Sequence, residues 1–260
     1  MGNLDAIEVS FVTHYKYLNF FSRHSEGLKI VSTIPNLKGD FSEAYFLKKK
    51  TLINLIRKSL DEDLKAIDLD ISYANPALLW IPIKSYYLIY HLLSVIEYLG
   101  SGDKHLLSIK HIDCMASFGK KIGDSTLQFN NAYFNLVADK EILNFTEEIG
   151  EHLRISVSDD TLFKLAMKKI AVESHNDYQR VNALNLRTSE GRSRLLKFRT
   201  TRKFCFFDYL YVMRIKASYK GLSFLDRIPD VDACTFIKDY CSLTVNIYNC
   251  LEEYISNICR

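Results

Sequence analysis

Only 4 prolines and 10 glycines interrupt the 260 residues of this chain, and the long stretches between them repeat apolar residues at helical rather than alternating spacing. That pattern commits the fold to the mainly α class. With 48% hydrophobic residues, the chain can bury a sizeable core. Its length suits one large domain, or one domain with an insertion, better than three small ones.

The periodic segments predict where the helices lie. Ser42 and Glu43 open a first long helix whose apolar face includes Phe46, Leu47, Leu52, Ile53 and Ile56, ending near Ala66. Pro82 fits the first turn of the next helix, which stops at Gly100-Ser101-Gly102-Asp103. A following helix carries His105 to Lys121 and completes an antiparallel hairpin. Residues 122–181 read as a mixed insertion, with short strands at 133–137 and 153–157 and a helix capped by Asp159 or Asp160. A long helix over 193 to about 220 and a last one over 230–258 return to the core, the latter with Leu243, Ile247, Leu251 and Tyr254 on one stripe. Residues 1–40 form an N-terminal extension whose aromatic cluster, His14, Tyr15, Tyr17, Phe20 and Phe21, reads as packing. No internal repeat or heptad array is visible.

The formal net charge is only +3, so binding of nucleic acid by bulk attraction is excluded and must come from local clustering. Residues 1–6 lack a secretory signal's basic and apolar regions, and Ala6 stands where a myristoylation signal has Ser or Thr. The most apolar stretch, 77–99, is interrupted by Pro82, Lys84, His91 and Glu97 and reads as a core helix. A cytoplasmic protein with no membrane partner is expected. The cysteines at 114, 205, 234, 241, 250 and 259 contain no C-x-x-C pair, which predicts buried free thiols, no metal and no cofactor.

Two blocks carry polar groups among apolar ones: Lys84-Ser85-Tyr86-Tyr87-Leu88-Ile89-Tyr90-His91 and Met213-Arg214-Ile215-Lys216-Ala217-Ser218-Tyr219. Buried polar groups need partners, so the blocks are expected to face each other. The first resembles the Arg-Ala-Tyr-Tyr-Ala-Met-Phe-His helix of the HEPN superfamily, with Lys84 in the arginine's place. His111, seven residues before Phe118, is similar to the histidine that opens that family's next helix. Arg214 to Tyr219 resembles its Arg-x-x-Ala-Asp-Tyr segment, with Ser218 where the acid would be. The resemblance implies a single HEPN-like antiparallel helical bundle spanning 1–260, and the insertion and N-terminal extension depart from compact members.

HEPN ribonucleases carry an Arg-x(4 to 6)-His motif, in which histidine moves protons and arginine stabilises the phosphorane after dimerisation. No arginine precedes a histidine at that spacing here, and the nearest substitute is Lys84-x6-His91. On a helix Lys84, Tyr87 and His91 project together. The candidate catalytic groups are therefore His91, Lys84 and Arg214, with Tyr87, His111, Ser218 and Tyr219 as a polar network. The alternative is structural: Lys84 snorkels, and the histidines, tyrosines, Arg214 and Ser218 satisfy one another inside the core.

Arg187, Arg192, Arg194, Lys197, Arg199, Arg202 and Lys203 place seven positive charges in seventeen residues against one acid, Glu190. Such a run suits a phosphate backbone, and Phe198, Phe204, Phe206 and Phe207 offer stacking surfaces if exposed. Otherwise the rings face the core and the cations are solvated or paired with acids.

Three functions compete. The first is a HEPN-like protein acting with nucleic acid, RNA being expected, in a prokaryotic defence or toxin–antitoxin setting. The second is a metal-independent endoribonuclease with a diverged site. The third is a non-catalytic module that dimerises and regulates a partner such as a nucleotidyltransferase or another effector.

Overall fold

In the computed structural model of the chain, which describes residues 6–32, 37–146, 157–219 and 230–259, the fold is a mainly α bundle. No strand occurs among the described residues, and β pairing there is confined to two isolated antiparallel bridges, Ile30 with Phe129 and Ala138 with Phe204. The helices are α1 (Ala6–His24), α2 (Ala44–Leu69), α3 (Ala74–Ser101), α4 (His111–Gly123), the single turn α5 (Lys140–Leu143), α6 (Asp159–Val181), α7 (Ser189–Thr201), α8 (Phe207–Tyr219) and α9 (Asp230–Ile258).

α3 is the axis of the bundle. From Ser85 to Leu99 every residue except Tyr87 is buried, and a helix apolar on all sides must be surrounded by others. α9, α2 and α8 make its largest contacts, while α1 lies on α9 and α6. Ile71–Ser101 is long and apolar enough to cross a membrane by length and composition, yet 72% of its apolar window is buried inside the protein. Pro82 does not open this helix. Pro76 occupies the first turn, and α3 runs through Pro82 because Ala74, Ala77, Leu78 and Ile81 continue the buried stripe and their burial outweighs one lost hydrogen bond. Gly102, at φ 76°, ends the helix by donating its amide to the Tyr98 carbonyl at 2.7 Å.

α2 packs against α3 through a seam that repeats every seven residues. Phe46, Ile53, Leu60 and Ile67 are its buried residues, and the positions three beyond the first three of them are Lys49, Ile56 and Asp63. This spacing is that of a two-helix seam and was missed as a heptad because two of those intermediate positions are charged. Leu47 and Leu52, expected on the inner face, point outward at 51% and 40% exposure.

Three further expectations change. The helix expected from His105 is a 3-10 turn, Lys104–Ser108, started by the Asp103 carboxylate accepting from the His105 amide at 2.9 Å; α4 proper opens at His111. The strand expected at 133–137 is a 3-10 turn, Ala132–Asn135, that drives Phe134 into the core, while most of 153–157 lies outside the described residues. Ser158, not Asp159 or Asp160, caps α6, its hydroxyl accepting from the Thr161 amide at 3.2 Å. Phe129, Phe134, Phe163 and Met167, all from 122–181, belong to the same core as α3.

The continuous helix expected from 193 is two helices, α7 and α8, separated by residues 202–206. The chain turns there because Arg202 folds inward. Its guanidinium bonds the Asp208 carboxylate, the Lys203 carbonyl at 2.6 Å and the Met115 carbonyl at 3.0 Å, while Asp208 also accepts from the Cys205 amide at 2.9 Å. Gly119 of α4 permits the close approach, since a Cβ there would overlap the Lys203 carbonyl. The N-terminal cluster is core, with Tyr17, Phe20 and Phe21 at most 3% exposed and His14 buried beside them.

Candidate functional site

The two polar blocks do meet. α3 presents Tyr86, Tyr87, Tyr90 and His91; α8 presents Arg214, whose guanidinium donates to the Tyr87 hydroxyl at 3.2 Å and lies 5.6 Å from that ring's centre. His111, on the first turn of α4, shares a 2.7 Å hydrogen bond between Nδ1 and the Tyr86 hydroxyl. The Tyr90 hydroxyl donates to the Ile109 carbonyl and fixes the segment leading into α4. Ring centres of Tyr90 and His111 are 4.3 Å apart, and those of Tyr90 and His91 5.0 Å.

The cation at His91 comes from another helix. Lys49 of α2 reaches His91 Nδ1 at 3.0 Å, so that nitrogen accepts and the ring proton sits on Nε2. Lys84 instead pairs with Asp63 of α2 at 2.6 Å. Sequence reasoning missed Lys49 because it sought the partner on His91's own helix; the signal was the seven-residue seam of α2, in which Lys49 occupies an inward position. Of the remaining candidates, Ser218 is exposed at the end of α8 and takes no part in the cluster, and the side chain of Tyr219 lies outside what the structure describes.

The site is electropositive and its imidazoles are neutral. Burial, then Lys49 and His111, pull the His91 pKa down to about 3; burial, then Arg214 and Lys49, pull that of His111 down to about 4. Burial also lowers Lys49. At pH 7 His91 is therefore neutral, which suits an acceptor and an anion cradle but makes a poor general acid.

His14 and His175, buried on α1 and α6, are held down to about 3 and about 4 by burial and nearby cations. All four imidazoles take protons near 6.5 once the chain unfolds, so acidification favours the unfolded state. Their contribution to stability is complete above about pH 6.5 and is lost as pH falls towards 4 and 3. Urea midpoints are expected to drop steadily from pH 7 to pH 5, before most carboxylates titrate, and His91→Gln is expected to flatten part of that slope. Equal midpoints at the two pH values would contradict the assignment.

The basic run divides. Arg187, Arg192, Arg194, Lys197, Arg199 and Lys203 are exposed, and none pairs with a carboxylate among the described residues. Arg192 also ties down the turn before α7, donating to the Leu186 and Arg187 carbonyls at 3.1 and 2.9 Å. Arg202 does not belong to this surface; it is 9% exposed and bonded inward. The phenylalanines are not stacking platforms either. Phe204, Phe206 and Phe207 are each 1% exposed, and half-buried Phe198 stacks face to face on Tyr178, centres 3.9 Å apart at 3°. The reason is spacing: Gly191, Leu195 and Phe198 form one inward stripe of α7, continued by Arg202 at its C-cap, which leaves Arg192, Arg194, Lys197 and Arg199 pointing out.

No group of His, Cys, Asp and Glu among the described residues is arranged to hold a metal ion. Neither family models, nor curated proteins, nor solved structures match this chain.

Proposed function

We propose that this chain is a HEPN-like helical protein that acts with RNA in the cytoplasm, in a prokaryotic defence or toxin–antitoxin setting. The observation that carries the RNA reading is the outer face of α7 and its two flanks, where Arg192, Arg194, Lys197 and Arg199 on the helix, Arg187 before it and Lys203 after it are exposed and have no carboxylate partner among the described residues. Structural ion pairing does not account for them, and clustered unpaired arginine and lysine suit phosphate oxygens. With no aromatic ring free on this face, contacts run to the backbone, which favours base-paired RNA recognised by shape over single strands gripped by stacking. Fluorescence anisotropy with duplex RNA, single-stranded RNA and duplex DNA of equal length is expected to show salt-sensitive binding, tightest for duplex RNA. Absence of binding at low salt would sink the proposal, and preference for DNA would redirect it.

The convergence of Lys49, His91, His111 and Arg214 favours a second reading, a metal-independent endoribonuclease in which a scissile phosphate sits between Lys49 and Arg214. A bound phosphate would raise both imidazole pKa values towards the working range. Cleavage in EDTA, lost in both His91→Ala and His111→Ala while the proteins stay folded, is the expected result under this reading; cleavage that survives both substitutions would remove it.

A further inference from the structure

A cavity of about 440 Å³ opens between α2, α3 and α9 and shares no residue with the cluster around His91. Its walls are apolar: Phe46, Ile53, Leu92 and Val95, with Phe46 braced edge-on by Phe41 at 5.6 Å. Small-molecule sites commonly have roughly 300–1,000 Å³, a mainly apolar lining and few polar groups, and lie between the helices of bundles. The volume is also informative about what does not fit. It is near that of one helical turn about 10 Å wide, whereas a docked helix spreads its anchors over two or three turns.

The mouth carries charge of both signs, and their circumstances differ. Glu252 stands one turn beyond Tyr248 on α9, and burial, then the Glu252 carboxylate, push the Tyr248 phenol up. Lys50 is exposed beside Cys259 and pairs with no carboxylate among the described residues. Among the described residues the cation at this mouth is thus open to an incoming anionic group.

We propose that the cavity binds a small amphiphile, its apolar body seated between α2, α3 and α9 and its anionic head held by Lys50. The site is independent of the RNA-binding reading. The experiment uses the full chain with 1-anilinonaphthalene-8-sulfonate as probe, decanoate as competitor and decyltrimethylammonium as its cationic counterpart. Saturable binding of one probe per chain is expected, displaced by decanoate at concentrations at least tenfold below those needed of the cation. Decanoate is also expected to slow alkylation of the exposed Cys259 by iodoacetamide. Two substitutions at exposed positions keep the test clear of misfolding: Lys50→Glu is expected to weaken probe and decanoate about tenfold, and Leu47→Trp at the rim to abolish binding, with circular dichroism unchanged. Equal displacement by both surfactants, or wild-type affinity in Lys50→Glu, would overturn the proposal. So would a stable dimer that excludes the probe, which would assign the groove to a second copy of the chain.

Discussion

Arg202→Ala is expected to cost about 3–5 kcal/mol of folding stability, the range for breaking a buried ion pair by removing one partner. The magnitude follows from what is left behind. Asp208 is 1% exposed; burial pushes its carboxyl up, and the guanidinium and the Cys205 amide oppose that shift. Without Arg202 the carboxylate keeps one amide donor, and the Met115 and Lys203 carbonyls each lose a donor. Against a typical total of about 5–15 kcal/mol, the loss is large enough to see as a collapsed urea midpoint. Arg202→Lys is expected to recover only part, because an ammonium cannot reproduce the fork. The double substitution Arg202→Met with Asp208→Leu is expected to recover most, since a paired buried bridge is often replaceable by apolar groups of like size. An alanine variant as stable as wild type would show that the bridge does not hold the α7–α8 break.

The second large effect concerns affinity. Replacing Arg194, Lys197, Arg199 and Lys203 together by alanine is expected to weaken RNA binding about 100-fold or more at low salt and to reduce the slope of log affinity against log salt by roughly 3, near 0.7–0.9 per phosphate contact removed. Arg192 is left in place because it bonds the Leu186 and Arg187 carbonyls, and Arg202 because its loss acts through folding. The quadruple variant should melt within about 0.5 kcal/mol per site of wild type, as exposed substitutions do. Unchanged affinity and slope would remove α7 from the interface.

Helices whose pattern is set by local burial were legible in the chain. The last helix runs Asp230–Ile258 as expected, and its stripe of Leu243, Ile247, Leu251 and Tyr254 is buried, because one continuous apolar face needs no knowledge of what it touches. The break at 202–206 was not legible, since it depends on a glycine and a carbonyl from α4, more than eighty residues away along the chain. For the same reason Arg202 looked like its six basic neighbours: nothing local distinguishes an arginine that meets Asp208 from one that meets water. At the candidate site, the facing of the tyrosine block and Arg214 and the placement of His111 at a helix start could be anticipated. The cation for His91 could not, because i and i+7 neighbours share a face without sharing a partner, and Lys84 found Asp63 first.

The seam of α2 has a consequence for how the two longest early helices find their alignment. Apolar residues spaced every seven positions look the same after α2 slides by one heptad along α3, so hydrophobic contact alone leaves slipped pairings close in energy. Lys49 against His91 and Asp63 against Lys84 do not survive such a slide. A slipped α2 would leave a half-buried ammonium and a half-buried carboxylate without these partners, which disfavours the slipped pairing. The charged positions in the seam thus act as an alignment code, and the lysine that sets the electrostatics of the histidine cluster also keeps α2 in step with α3.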